Sequence, residues 1–473
     1  MENTSDAFRF VSLPPQQSEI MPPKSDSAAV SALRRFRKNP SAMVAAIVLI
    51  ALLLFALLAP VLSPYDVAFR DGRYKNMLPK WAPLAFFGWD GCAVESGSQG
   101  LYDLYKAIGA VKKVYSRDEQ NSYYRMKVDA YAKVGYAYLD MSEADYAALR
   151  AYEAETGQQI CYPIPKYFQT NFLAVSDRAN LWYELADETA ASTGESAHHD
   201  ENGEPVFVEA YLLDDAGLPV YAVKNQTGVR VRVLYSAYYQ YLHGTQPQFL
   251  FGTNQHGQDI FTCLASGARL SFLLSLSVSL LNFCIGMVYG AIEGYYGGKV
   301  DLFMERIADI LAAVPFIVVA TLFQLHLAQK AGPVLSLLFA FVLTGWIGIA
   351  SRVRTQFYRY KNAEYVLAAR TLGASDRRLI LQHILPNAIG TIITGTILII
   401  PGVIFSESML SYLGIVNLEA AGITSIGTML AGGRSYLGTF PHIIAFPAVF
   451  IALLQIGFNL FGNGLRDSVN PTA

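Results

Sequence analysis

The sequence contains few of the residues from which enzymes and metal proteins build their sites. Only 4 of the 473 residues are cysteine and 7 are histidine, and none of them has the Cys/His spacing of a zinc site. The phosphate-binding pattern G-x-x-x-x-G-K-[ST] and the nucleophile pattern G-x-S-x-G are absent from the sequence. We therefore expect no cofactor, no metal and no catalytic residues, and no ATP hydrolysis by this chain itself.

Charge is also sparse. Charged residues make up 16% of the chain and the formal net charge is −2, which argues against nucleic acid as a partner. The two signs are unevenly distributed, because positions 61–250 carry 24 acidic and 17 basic side chains, a balance of −7 that leaves +5 for the rest. We expect these two parts of the chain to face different compartments.

Apolar residues, in contrast, are abundant, at 53% of the chain. Six segments are apolar and long enough to cross about 30 Å of hydrocarbon as helices. About forty residues precede the first one, and it is longer than the core of a typical signal peptide, so a span is favoured over a cleaved signal. The six predicted spans are 42–62, 270–292, 303–326, 334–351, 389–413 and 441–463.

Basic residues near the span ends predict the orientation, since lysine and arginine favour the cytoplasmic side. The N-terminal segment 1–41 ends in a basic cluster and is therefore expected inside. Alternating spans then place 64–250 outside and the basic loop 352–388 inside, with both termini cytoplasmic. The predicted domains are accordingly the segment 1–41, the first span 42–63, the outer insert 64–250 and a helical core 251–473.

The predicted outer insert contains 21 of the 29 tyrosines. A helix is expected from the N-cap Ser142 to Gly157, two strands around a turn at 206–225, and a third strand at 229–242. The insert is therefore predicted to be an ordered α+β domain between the first two spans. Its tyrosines either fill a small core, which we favour, or make protein contacts.

Two cysteines, Cys92 and Cys161, lie in this insert. An oxidising compartment would favour a disulfide between them, with two free thiols as the alternative.

The most informative polar stretch interrupts the apolar core at 364–387 and reads EYVLAARTLGASDRRLILQHILPN. Its first part predicts a helix that ends at Gly373, where glycine permits a positive φ. Ser375 is expected to cap a second helix, and Pro386 to break that helix before the next span. A short helix held by a sharp turn at a membrane face can transmit a push from a docked protein.

This stretch resembles the cytoplasmic coupling loop of binding-protein-dependent ABC importer permeases, in which A-A-x-x-x-G is followed by L-P. Leu367 stands where the family usually has Glu, and Glu364 lies three positions earlier as a candidate substitute. The residues that carry the resemblance are Ala368, Ala369, Gly373, Leu385 and Pro386.

Other stretches are similar to the C-type permease of dipeptide and oligopeptide importers. The resemblance covers about 30–63 and 251–471 but not 64–250, where that family has a much shorter loop. These stretches are RRFRKNPSAMV at 34–44, FGTNQHGQDIFTCLASGARLSF at 251–272, GYYGGKVD at 294–301, RIADILAAVPF at 306–316, ESMLSYLG at 407–414 and FNLFGNGLRDSVNP at 458–471.

The resemblance implies six transmembrane helices of the type I ABC importer permease fold, in the inner membrane of a bacterium. It also implies a second homologous permease, two ATP-binding subunits, an extracytoplasmic substrate-binding protein, and peptides as the cargo. The insert would lie over the outer mouth of the path, where docking or vestibule formation is preferred. A secondary transporter and a membrane receptor with a working outer domain are the alternatives, but neither inverted repeats nor a site in 64–250 is visible.

Ionisable residues near the spans are candidates for function, because burying them is costly. Asp309 and Glu407 could line the path or hold neighbouring helices together, and the structural role is favoured. Glu293, Asp301, Glu305 and Arg306 are expected to form an interfacial charge network.

Overall fold

The computed structural model describes residues 28–469 except for 99–100, 103–104, 107, 119–122 and 165–211. The chain divides into two compact units. Unit one consists of the described parts of Met1–Leu52, Phe272–Ser406 and Ala452–Ala473, and unit two consists of those of Leu53–Ser271 and Glu407–Ile451.

Within the described residues, five helices are long and apolar enough to cross a membrane, and a bent pair of shorter helices makes six if it counts as one span. The molecule is therefore a mainly helical membrane protein. The bent pair corresponds to the third predicted span, and its two helices meet at 71°. Pro315 lies at this break, where it excludes a continuous helix. The five long helices are Pro40–Leu62, Ile260–Tyr296, Pro333–Tyr360, Asp376–Tyr412 and His442–Val469.

We number the elements along the chain. The helices are α1 (Ala28–Lys38), α2 (Pro40–Leu62), α3 (Glu143–Thr156), α4 (Tyr235–His243), α5 (Ile260–Tyr296), α6 (Gly298–Ala312), α7 (Phe316–His326), α8 (Ala328–Ala331), α9 (Pro333–Gly345), α10 (Ile347–Tyr360), α11 (Glu364–Thr371), α12 (Asp376–Arg378), α13 (Leu385–Ile397), α14 (Ile399–Tyr412), α15 (Ile426–Gly433) and α16 (His442–Val469). The strands are β1 (Cys92–Ser98), β2 (Val111–Asp118), β3 (Tyr123–Asp129), β4 (Tyr136–Met141), β5 (Cys161–Tyr162), β6 (Ala222–Asn225) and β7 (Gly228–Leu234).

In unit one, α5 and α10 approach closely because glycines recur every four residues on α5. A Cβ built on Gly290 would overlap the carbonyl oxygen of Ala350 and lie 2.8 Å from the Cβ of Val353. Gly286 and Gly294 meet the same helix one turn away on either side. Small residues at such a spacing let two helix backbones pack directly in a membrane, where packing rather than water exclusion drives association.

Gly290→Leu is therefore expected to destabilise the protein by about 1–3 kcal/mol or more, because the added side chain has no space between the two helices. Thermal unfolding in detergent measures the effect. Gly402→Leu is the matched control, since no atom lies within 4 Å of a Cβ built on that helical glycine. Equal unfolding temperatures for the two variants would contradict the close packing.

Unit two contains two antiparallel sheets. The first has the order β1-β3-β2, and in the second β7 pairs with β4, β5 and β6. The predicted helix is confirmed as α3, with the Ser142 hydroxyl accepting a hydrogen bond from the Asp145 amide at 3.1 Å and Gly157 in the left-handed conformation at φ 70°. The described part of 64–250 is therefore an α+β region.

The strand predicted at 229–242 is only half correct. Strand β7 ends at Leu234, and the tyrosine-rich stretch after it forms helix α4. Tyr235 and Tyr239, four residues apart, both pack against the ring of Tyr74 at centroid distances of 5.2 and 5.4 Å. Tertiary packing on a helical face thus overrides the strand preference of tyrosine. Of the two strands predicted at 206–225, positions 206–211 lie outside the described residues, and the rest contains β6.

Cys92 and Cys161 are free thiols, contrary to the expected disulfide. Each lies in a different sheet, where Cys92 on β1 pairs with Asp129 and Cys161 on β5 pairs with Val233. Burial raises the pKa of the Cys161 thiol to about 12 and that of the Cys92 thiol to about 11. Both therefore remain protonated and poorly reactive at neutral pH.

Candidate functional site

The candidate site is the polar stretch 364–387, which begins with α11. Glu364 lies in the first turn of this helix, where a carboxylate complements the helix dipole. The helix is followed by Gly373 with a φ of +85°, as the sequence predicted. The side chains of Tyr365 and Leu372 are 42% and 87% exposed, and Ala368 is exposed beside them. This exposed, largely apolar surface of three residues is called the coupling face below.

The opposite side of α11 is anchored in the core of unit one. Val366 is fully buried in a cluster that includes Leu379 and Ile384, and Ala369 packs against this cluster. The coupling face is therefore supported from behind by packed side chains. The members of the cluster are Ala291, Tyr295, Ile349, Val353, Phe357, Val366, Leu379, Ile384, Ala388 and Ile392.

Polar contacts tie both short helices of this stretch to the end of α5. The Tyr295 hydroxyl donates to the Asp376 carboxylate at 2.5 Å, and Nη2 of Arg370 lies 3.4 Å from the same hydroxyl. Tyr295 thus links α11 and α12 on either side of the Gly373 turn.

Two details of this stretch differ from the prediction. Ser375 has the extended backbone of an N-cap, but its side chain makes no capping hydrogen bond. Pro386 does not break the helix, because it occupies the first turn of α13, where no amide donor is required. The π-helical turn Leu379–Ile384 lies directly before it, and such a turn accommodates a proline without ending the helix. Leu385 lies in the same first turn.

A partly buried charge network is built on the helix that precedes the polar stretch, with Arg354 of α10 at its centre. Its guanidinium donates to both oxygens of Asp301 at 2.5 and 2.8 Å and to both oxygens of Glu305 at 2.7 and 3.0 Å. Glu293 lies 3.6 Å away, and the Tyr358 hydroxyl donates to Asp301 at 2.7 Å. Bidentate pairing of this kind fixes α6 against α10, and the weaker contact with Glu293 adds α5 to the network.

The sequence predicted the three acidic residues of this network, Glu293, Asp301 and Glu305, but not the arginine at its centre. Arg306, predicted as a member, instead pairs with Asp309 at 3.0 Å on the exposed side of α6. Asp309, a candidate for the path, is therefore in an exposed ion pair within one helix. Arg354 was missed because its partners lie about fifty positions away along the chain.

Glu407, the other candidate, is buried in a cluster of hydroxyl groups in unit two. Its carboxylate accepts from Ser425 at 2.7 Å, from Ser271 and Ser411 at 3.2 Å, and from Ser408 at 3.4 Å. No cation takes part among the described residues. The cluster joins α14 to α5 and to the N-terminus of α15.

We expect Glu407→Ala to destabilise the protein by about 1–3 kcal/mol, because the buried serine hydroxyls lose their shared acceptor. Glu407→Gln keeps one acceptor oxygen and should cost less. Asp309→Ala is the control, since an exposed pair contributes about 0–1 kcal/mol. Thermal unfolding of the three variants gives the order of their stabilities. A Glu407→Ala variant as stable as Asp309→Ala would contradict the structural role of Glu407.

Comparison with known proteins gives two family matches. The model of the inner membrane component of binding-protein-dependent transport systems matches residues 283–473, and that of the N-terminal transmembrane domain of oligopeptide transport permease C matches residues 27–79. The two matches leave 80–282 uncovered, which includes most of the predicted insert.

Individual relatives agree with these families. The chain is 42% identical over 221 residues to the oligopeptide transport system permease protein OppC of Bacillus subtilis, covering 47% of this chain and 71% of that protein. It is 39% identical over 222 residues to the dipeptide transport system permease protein DppC of the same organism, covering 47% and 68%. A solved inward-facing structure of the MetNI methionine ABC transporter matches 44% of this chain and 96% of its own at 15% identity, with a TM-score of 0.36.

Proposed function

We propose that this chain, which belongs to the family of binding-protein-dependent ABC importer permeases, forms a path for peptides together with a second, homologous permease. Peptides are the proposed cargo because the relatives above are named oligopeptide and dipeptide permeases. The observation that carries the proposal is the coupling face, an exposed apolar surface held on a packed and hydrogen-bonded support. A channel or secondary transporter needs no such element.

We propose that the coupling face binds one of two ATP-binding subunits. Tyr365, Ala368 and Leu372 would enter a groove on that subunit, since small and apolar residues permit close approach. Arg370 and Asp376, both linked to Tyr295, would pass the movement to α5. Glu364, at the start of α11, would lie at the rim of the contact.

Six spans, rather than five, are supported by a parity argument. His256, just before α5, lies 2.8 Å from Glu419, which follows α14. The segments before α5 and after α14 must then lie on the same side of the membrane. If the bent pair α6–α7 crosses the membrane, four spans lie between the segment before α5 and the segment after α14. An even number of spans returns the chain to the side from which it started, as the contact requires. We therefore propose that the bent pair is a full span.

With six spans, the two chain ends are proposed to lie on the same side of the membrane. Phe36 of α1 and Phe461 of α16 make an edge-to-face contact at 5.3 Å, which six spans allow and five would not. With basic residues before α2 and around the coupling stretch, this side is proposed to be the cytoplasm of a bacterium. The region between α2 and α5 then lies outside.

The insert is proposed to be a docking platform for the extracytoplasmic binding protein. It is fixed to the segment before α5, because the Trp89 indole donates to the Leu250 carbonyl at 2.7 Å and Tyr74 and Phe249 share one aromatic core. The sheet of β1, β2 and β3 has exposed apolar and aromatic residues, such as Val94 and Tyr115. Aromatic residues are enriched at protein interfaces.

This sheet can be excised at one point of the chain, since Cys92 and Asp129 are partners across its base. Replacing 93–128 by an Asn-Gly turn should leave the assembly intact and reduce ATP hydrolysis stimulated by the binding protein. Unchanged stimulation would show that the sheet does not dock the binding protein.

Co-purification tests the function itself. A tagged chain extracted with its neighbouring membrane proteins should bring a second permease and two copies of an ATP-binding subunit. In proteoliposomes, this complex should import short peptides only with ATP and the loaded binding protein. Uptake driven by an ion gradient without ATP would favour a secondary transporter instead.

A further inference from the structure

Unit two contains a partly open cavity of about 460 Å³ that belongs to neither the coupling face nor the Glu407 cluster. Three segments build it: 66–70 just after α2, 254–258 just before α5, and residues of the chain from 419 to 443. Its volume lies within the range of about 300–1,000 Å³ that is usual for small-molecule sites. All three segments lie on the side proposed above to be extracytoplasmic.

The cavity carries charges of both signs that do not neutralise one another. Arg70, Asp66 and Glu419 all line it. In the described part of the chain Arg70 makes no ion pair. The Asp66 carboxylate accepts a hydrogen bond from the amide of Ala68, at 2.7 Å, and makes no ion pair with a described residue. Glu419 contacts the ring of His256 at 2.8 Å. A guanidinium and two carboxylates facing one cavity are complementary to a solute with a positive and a negative end.

The polar wall between these charges is preformed. The Asn254 side-chain oxygen accepts from the amides of His256 and Gln258, at 2.9 and 3.0 Å. The Gln258 side chain donates to the carbonyl of Val67 at 2.9 Å. The neighbouring Gln255 amide also faces the cavity. The internal hydrogen bonds hold the wall in place, and the Gln255 amide suits the peptide backbone, which offers a donor and an acceptor at every residue.

Apart from Thr424 and Thr428, the remaining wall is largely aliphatic. Val67, Ile423, Met429 and Ile443 line it. A flexible methionine beside aliphatic residues adapts to side chains of different shape. The cavity thus combines fixed polar groups, which suit the backbone that all short peptides share, with an adaptable apolar surface for their different side chains.

We propose that this cavity is a binding subsite for a short peptide with free termini, entered after release from the binding protein. Arg70 binds the α-carboxylate, and Asp66 and Glu419 bind the α-ammonium group. This inference rests on the proposed peptide import and adds that the permease itself recognises the termini. Charge-assisted hydrogen bonds in a partly enclosed site supply the selectivity.

The test compares tri-alanine with its carboxyl amide in proteoliposomes that contain the complete importer. Each peptide is preloaded on excess binding protein, so that discrimination by the binding protein does not enter the measurement. The native importer should transport tri-alanine faster than the amide. Arg70→Gln should lower the rate for tri-alanine by about tenfold and remove the preference, because only the free carboxylate needs the guanidinium.

The second comparison is between tri-alanine and its N-acetyl derivative. Asp66→Asn should lower the rate for tri-alanine and remove the preference for tri-alanine over the N-acetyl derivative. Lys75→Gln is the matched control, since Lys75 is an exposed cation nearby that does not line the cavity. Equal rates for both peptides in the native importer, or a preference that Arg70→Gln retains, would overturn the subsite while peptide import still stands. Failure of the native importer to transport either peptide would instead contradict the proposed function.

Discussion

Gly373→Val is expected to reduce ATP-driven uptake by about tenfold or more while the chain still inserts and assembles. Gly373 has a φ of +85°, in which a β-branched side chain is strained by roughly 1–3 kcal/mol. The strain is relieved if the turn changes, which moves α11 relative to α12 and misplaces the coupling face. Uptake and ATP hydrolysis are measured in proteoliposomes with equal amounts of assembled complex.

Gly438→Val is the matched control for this variant. Like Gly373, Gly438 has open space around a built Cβ, but its φ is not positive. The two variants add the same side chain without a clash, so a difference in uptake between them reports the effect of the positive φ at Gly373. Normal uptake by Gly373→Val, or an equal loss in both variants, would refute the role of the turn.

Arg354→Gln is expected to be the most destabilising single change, at about 3–5 kcal/mol, because it leaves three buried or half-buried carboxylates without their cation. Asp301 and Glu305 each lose a bidentate partner, and Glu293 loses its nearest positive charge. The expected result is a large fall in the unfolding temperature in detergent. Coupling should fail as well, since α10 leads directly into α11.

Arg359→Gln provides the comparison on the same helix. Arg359 is exposed and, among the described residues, contacts only the ring of Tyr360, at 5.6 Å, so its replacement should change stability by less than about 0.5 kcal/mol. Adding Asp301→Asn to Arg354→Gln should recover part of the lost stability, because one uncompensated charge disappears. A double variant no more stable than Arg354→Gln would argue against an electrostatic cause.

Periodicity and composition were sufficient where a local rule decides the structure. The first span was predicted at 42–62 and is Pro40–Leu62, because an apolar run of that length has one stable arrangement in a bilayer. Helix α11 and the left-handed Gly373 were predicted for a similar reason, since glycine after a short helix is a strong local signal. The α+β nature of the described part of the insert also followed from turn residues and alternation.

Contacts distant in sequence were not predictable in the same way. Of the four hydroxyls around Glu407, Ser408 and Ser411 are neighbours on the same helix, but Ser271 and Ser425 come from other elements, and no spacing rule connects them to Glu407. Tyr235–His243 became a helix because its rings pack on Tyr74, more than 150 positions earlier. Pro386 continued a helix rather than ending it, because a π-helical turn precedes it. In each of these cases tertiary structure outweighed a local preference.

The claim that the coupling face binds an ATP-binding subunit is tested most directly by site-specific photo-crosslinking. A photoreactive residue at Leu372, which is 87% exposed, should cross-link to the ATP-binding subunit in native membranes. The same probe at Lys75, exposed in unit two on the opposite proposed side, should give no such product. If Leu372 yields no product with an ATP-binding subunit, or Lys75 yields the same one, the account of coupling is contradicted.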